Sequence, residues 1–303
     1  MKRSVVFVVF FLILGFALAG LYWSQRRPKS PPVSANAILN MAADAQRDLS
    51  RVPMRFTRLS DEQEIAIGKE LAARYATRSR QLTPEEEGLE KYVTRVGGVV
   101  ALHAHRHLPY TFTVLPDHNM INAFSLPGGP VYVGEGMLDL MMSEDELANV
   151  LAHEIEHIDH YHCVERVQLE AKLKNLNLDI LGALLQIPLD FWQVGYHKNE
   201  EFEADREGRF LAVRSGYSPY GAVDLFERFS KLCDEYVIHA QSPDEELSEL
   251  AIQSLNGYFR SHPLPSERLA QARRLIAEQH WEDRKTQKSF RVEYEVHSGE
   301  YVK

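Results

Sequence analysis

Apolar residues are concentrated in a few stretches of the chain, and their spacing changes from one to the next. The first run, over residues 5–23, is apolar apart from small residues and lies between Lys2-Arg3 and Gln25-Arg26-Arg27-Pro28-Lys29. As a helix at about 1.5 Å per residue it spans roughly 28 Å, close to the about 30 Å of a bilayer's hydrocarbon core. Tyr22 and Trp23 at its end suit the interfacial belt. Ala17-Leu18-Ala19 has the shape of a signal-peptidase site, yet the run is longer than the apolar part of most signal peptides and no lipoprotein cysteine follows. The expectation is an uncleaved signal anchor over 1–27, with a cleaved signal peptide as the alternative. Positive charge on both flanks leaves its orientation open. Pro and Ser dominate 28–35, so 28–55 reads as a linker and 56–303 as one globular domain.

Beyond the linker the period becomes helical. Ser60 or Asp61 caps a helix running to about Thr77, with Ile65, Leu71 and Ala72 inward. Thr83 caps the next, with Pro84 at its first position, and Gly97-Gly98 is expected to end it after Val96. Three strands follow over 110–115, 120–126 and 131–133, the second and third joined by Pro127-Gly128-Gly129-Pro130. Pro130 suits an edge strand. Ser143 and Glu146 then read as a capping box opening a helix on which Leu147, Val150, Leu151 and Ile155 recur, continuing through Ile158, Tyr161 and Val164. The long, mostly apolar stretch 169–192 reads as a helical hairpin. A second membrane span is not expected there, because Lys172, Lys174 and Asp179 interrupt it. A last strand is expected over 290–296.

Composition narrows the partners. The chain has 303 residues and a net charge of -9, and no cluster of Lys and Arg suggests phosphate contacts, so no nucleic-acid partner is expected. Cys163 and Cys233 are too few for a disulfide framework and match no structural zinc spacing.

The chemistry enters with His153-Glu154-Ile155-Glu156-His157, an H-E-x-x-H motif on the capped helix. Positions four apart share a helix face, so both imidazoles can address one metal ion, and Glu154 is placed to take a proton from water there. A catalytic zinc site needs a third protein ligand. The acidic stretch 199–208 is the best source, with carboxylates at 200, 203 and 207 on one helical face. His103, His105 and His107 recur at spacing two, which reads as a solvated loop before Pro109 rather than a metal strand. His160 and His162 read as hydrogen-bonding residues, because the ten-residue position of an extended zinc motif is Cys163.

Four motifs then occur in order: Asn122-Ala123-Phe124-Ser125-Leu126-Pro127-Gly128-Gly129, Glu144 through His157, Glu203-Ala204-Asp205-Arg206, and His262-Pro263 with Ser266-Glu267-Arg268. Together they resemble the HtpX-like and CaaX-prenyl-endopeptidase-like family of membrane-associated zinc metalloproteases. The resemblance covers residues 59–276 and implies an α+β fold, mostly helical and zincin-type, with a small sheet beside the active-site helix. Carried over by position, it implies one Zn2+ per chain held by His153, His157 and Glu203, with Glu154 as general base. Asp205 would orient a ligand imidazole, and His262 would assist at the active site. An edge strand at Val131, Tyr132 and Val133 would hold an extended substrate by main-chain hydrogen bonds. The activity implied is endopeptidase cleavage of unfolded or misassembled envelope proteins, at a membrane reached through the N-terminal segment and with the catalytic domain in the periplasm. The alternative is a non-catalytic or autoinhibited zinc-binding module with a chaperone-like role.

Overall fold

Local signals open most of the helices. In a computed structural model describing residues 59–76, 82–173, 195–239 and 262–285, helix α1 (Asp61–Ala76) starts from Ser60, whose hydroxyl accepts from the Gln63 amide while the Gln63 side chain accepts from the Ser60 amide. Its inward face is Ile67, Leu71 and Tyr75; Ile65 and Ala72 are only half-buried. Helix α2 (Pro84–Ala101) is capped by Thr83 as expected, and the bond is reciprocal: Glu86 also accepts from the Thr83 amide. It does not stop at Gly97-Gly98. A Cβ at Gly97 would lie 2.6 Å from the Phe112 ring, so that glycine serves close packing against a strand rather than termination.

Strands β1 (Thr111–Leu115), β2 (Ala123–Ser125) and β3 (Pro130–Gly134) form a sheet of order β1-β3-β2. β1 runs parallel to β3, with Phe112 opposite Val131, and β2 runs antiparallel to it, with Phe124 opposite Tyr132. The expectation that 131–133 is an edge is therefore corrected: β3 is the centre. Pro130 is tolerated because it is the strand's first residue, where a missing N–H costs no interior ladder bond.

A short helix α3 (Glu135–Asp139) leads into α4 (Glu144–Asp159), around which the domain is built. Leu147, Ala148, Leu151, Ala152, Ile155 and Ile158 are all 0% exposed, and at roughly 1.5–3 kcal/mol for each large apolar side chain they anchor the core. Ser143 caps α4 through the Glu146 amide, as expected. The Glu146 carboxylate instead takes the Met142 amide and the Arg228 guanidinium at 2.7 Å. Glu144 receives Arg95, Tyr92 and Tyr217, so an acidic first turn favourable to the helix dipole is buried only because each carboxylate is paired.

The helix ends earlier than its pattern suggests. Tyr161 adopts φ 63°, the Arg106 guanidinium lies 3.9 Å from its ring centre and donates to the Ile158 carbonyl, and a new helix, α5 (His162–Leu173), begins. Helices α6 (Lys198–Arg214), α7 (Tyr220–His239) and α8 (Pro265–Glu278) complete the described elements. α6 and α7 pack on α4, and α8 packs on both of them. The architecture is α+β and mostly helical with one small sheet. No helix among the described residues is long and apolar enough to cross a membrane. The anchor at 1–27, the linker at 28–55, most of the 169–192 stretch and the strand at 290–296 lie outside the described residues.

Candidate metal centre and active site

The i, i+4 spacing on α4 brings the two imidazoles together. His153 Nε2 and His157 Nε2 are 3.0 Å apart, with the ring planes at 86°. Glu201, from α6, supplies the third group: its Oε2 is 3.5 Å from His153 Nε2 and its Oε1 3.8 Å from His157 Nε2. All three residues are buried, and their donor atoms lie within 4.8 Å of one another. α6 can approach this closely because residue 208 is glycine; a Cβ there would be 2.9 Å from the His153 backbone nitrogen. Two ring nitrogens facing each other beside a carboxylate form a donor set that could hold a metal ion.

The expected third ligand is corrected by helix geometry. Residues two apart on a helix point about 200° apart, so Asp205 and Glu203 cannot both face the histidine pair, whereas Glu201 and Asp205, four apart, can. The Glu203 side chain is 43% exposed and lies on the far side of His157, 3.4 Å from His162 Nε2 and 3.6 Å from His160 Nδ1. Glu201 has no motif name of its own in the quoted segments; the signal that points to it is its spacing from Asp205.

Each imidazole is oriented from behind. Asp205 Oδ1 is 3.0 Å from His153 Nδ1, and Arg268 donates to both Asp205 oxygens, at 2.6 and 2.8 Å. His157 Nδ1 is 2.9 Å from His162 Nδ1. A proton on His157 Nδ1 accepted by His162, whose Nε2–H in turn faces Glu203, leaves His157 Nε2 as a free lone pair. The Tyr196 ring stacks on His157 at 4.0 Å, and its amide donates to Glu201 at 2.8 Å. His262 reaches the site too, with Nδ1 at 2.6 Å from Glu201 Oε2.

Burial sets the charges. Burial opposes charge on His153, but bonds to Asp205 and Glu201 outweigh it and raise its pKa to about 9. Burial, with charged His153 beside it, pushes His157 well below the usual range. Burial would raise Glu201, yet His262, His153 and His157 hold it well below. Glu154 is raised, chiefly by burial, although His153 and His262 oppose this and Ser125 donates a hydrogen bond to it.

A cleft of about 450 Å3 opens at this point, lined by His153, Glu154, Asp205, Arg209, His262 and Arg268 among others. Ala123 of β2 lines it as well; Val131, Tyr132 and Val133 do not. Tyr132 stacks instead on Phe124 at 5.0 Å and packs on Tyr75. His103 turns to the Val99 carbonyl and Ser215, while His105 faces Asp159, which also accepts from Tyr110. Cys163 is a buried free thiol, pushed up to about 12 by burial.

Comparison with known proteins identifies the family. The family model described as Peptidase family M48 matches residues 86–276. The beta-barrel assembly-enhancing protease of Yersinia pestis is 28% identical over 236 residues, which are 71% of this chain and 44% of that protein. Mitochondrial metalloendopeptidase OMA1 of Schizosaccharomyces pombe is 32% identical over 168 residues, 53% of this chain and 49% of that one. The beta-barrel assembly-enhancing protease of Escherichia coli K12 is 27% identical over 205 residues, 61% and 38% respectively. In each case the match spans less than half of the relative.

Proposed function

The chain belongs to peptidase family M48 and so to the metalloendopeptidases, and we propose that it uses zinc to hydrolyse unfolded or misassembled proteins of a cell envelope. The observation that carries this reading is the buried meeting of His153, His157 and Glu201, with His153 and Glu154 lining one cleft. His153, His157 and Glu201 would hold the ion, in place of the Glu203 that sequence similarity suggested. When bound, zinc supplies Lewis acidity, drawing electrons from a substrate carbonyl oxygen and acidifying water at the site. Glu154 is the general base. It accepts the proton of the attacking water on its carboxylate and returns it to the leaving amine; its raised pKa brings it closer to neutrality, where both transfers are favourable.

Arg268 and Asp205 fix the His153 ring, and His162 fixes His157. His262 steadies Glu201 through Nδ1 and lines the cleft. The substrate strand pairs with β2 rather than β3. β2 is an outer strand of the three, packs on α4, and places Ser125 against Glu154; an extended chain added to its outer edge gains main-chain hydrogen bonds beside the reacting groups. The envelope substrate class is supported by the names of two relatives and by the apolar run 5–23.

Zinc content and casein hydrolysis, measured on the full chain and on Glu154→Gln, test the proposal. One zinc in both, with hydrolysis only by the native chain, is expected. Hydrolysis by Glu154→Gln would remove the base assignment, and one zinc with no hydrolysis by either would favour a non-catalytic zinc module.

A further inference from the structure

The cleft holds one cation more than the pairing of Asp205 explains. Arg209, one helical turn after Asp205 on α6, is 2% exposed and lines the cleft beside Glu154. Its Nε and Nη1 are buried with no hydrogen-bond partner among the described residues. Asp205, whose charge acts on it, is already occupied by the two-pronged grip of Arg268 and by His153. A buried guanidinium left in this condition is costly, since a charged donor without its acceptor forfeits its hydration and gains nothing in return. Burial lowers its pKa to about 10, so it stays charged at neutral pH. Met137, Val150, Leu225 and Phe226 also line the cleft, and apolar surroundings strengthen an ionic contact made there.

We propose that Arg209 is a specificity-determining residue that receives a carboxylate of the substrate in the cleft beside Glu154. This rests on the peptidase reading above. Nε and Nη1 lie on opposite edges of the planar guanidinium, so a carboxylate entering at either edge gains a charge-assisted hydrogen bond, roughly twice as strong as one between neutral groups. The carboxylate can come from an Asp or Glu side chain next to the scissile bond or from the free C-terminus of a short peptide. Substrates lacking it leave Arg209 desolvated and unpaired, so they are disfavoured as well as less well held.

The test uses the zinc-loaded full chain and pairs of internally quenched peptides. The pairs carry Glu or Gln at each position flanking a common cleavage site, with the C-terminus free or amidated. The expected result is that kcat/KM is about ten- to a hundredfold higher for the member carrying the carboxylate, the range of a charged hydrogen bond. Arg209→Leu should abolish that ratio, and Arg209→Lys should keep part of it. A ratio that follows Glu at one position assigns the side chain, and one that follows the free terminus assigns the chain end. Equal cleavage within every pair, or a ratio that survives Arg209→Leu, overturns the proposal. If the native chain cleaves no pair, the peptidase reading fails. The same peptides are then measured by fluorescence anisotropy on Glu154→Gln with and without Arg209→Leu, and binding that ignores the carboxylate overturns the assignment of Arg209 on its own.

Discussion

Replacing Glu201 and Glu203 separately by alanine discriminates between the two possible third ligands. Structural zinc sites with four protein donors bind with about 10–16 kcal/mol, or about 2.5–4 kcal/mol per donor. Loss of Glu201, 0% exposed and within 3.8 Å of both histidine Nε2 atoms, should therefore weaken zinc by two to three orders of magnitude. Glu203 pairs with His160 and His162, with a side chain 43% exposed, and such solvated pairs contribute about 0–1 kcal/mol. Its removal should cost less than about tenfold. The assay is competition against a chromogenic chelator on the full chain, with far-ultraviolet circular dichroism to check folding. Because Glu201 also accepts from Tyr196 and His262 on its two oxygens, Glu201→Gln, which keeps the shape and one accepting oxygen, is measured alongside. An equal or larger loss for Glu203→Ala would refute the helix-face reasoning.

The same substitution at two glycines should have opposite signs. Gly88 in α2 has nothing within 4 Å of an added Cβ, so Gly88→Ala should stabilise by about 0.5–1 kcal/mol. Gly208→Ala would press on the His153 backbone at 2.9 Å and should destabilise, as overpacking at about 1–3 kcal/mol outweighs the helix gain; urea midpoints for the two variants test this. Removing zinc with a chelator should lower the thermal midpoint. Zinc at a thousandfold over its Kd contributes about 4 kcal/mol, or roughly 8–16 °C for a domain of this size, and an unchanged midpoint would mean the site binds no ion in the native state.

What the sequence makes legible is local. His153, Glu154 and His157 follow from a period of four on a capped helix, Thr83 and Ser143 fix helix starts by bonds spanning three residues, and Pro84 does so by its fixed φ. The strands are visible as segments, but their order is not, because the centrality of β3 depends on pairing across the turn at 127–130 and across the whole stretch from 111 to 134. Gly97 reads as a stop because its partner, the Phe112 ring, is remote in sequence. The break at Tyr161 depends on Arg106, also remote. Glu201 is a different case: spacing from Asp205 is enough to choose it over Glu203 once both are required to face one histidine pair. Arg209 cannot be singled out from its neighbours, since lacking a partner is a property of the fold alone.

Arg268 and Asp205 separate the folding of this site from its chemistry. Arg268 enters from α8, 3% exposed, and grips a carboxylate that is 4% exposed. Arg268→Met strands a buried charge and should cost about 3–5 kcal/mol. Adding Asp205→Asn removes the stranded charge, so stability should recover by more than about 2 kcal/mol relative to additivity, a coupling expected only for groups in direct contact. Zinc affinity should not recover with it. A neutral amide at this position holds the His153 ring less firmly than the carboxylate does, and losses of about ten- to a hundredfold are typical when a ligand's outer partner is changed. Urea unfolding in chelator and zinc competition, run on the two single variants and the double, read the two effects independently. Stability that recovers while affinity stays low means that Asp205 is held by Arg268 in order to aim His153. Affinity that recovers together with stability would mean that the pair only fills the core, and the aiming of His153 would have to come from α4 itself.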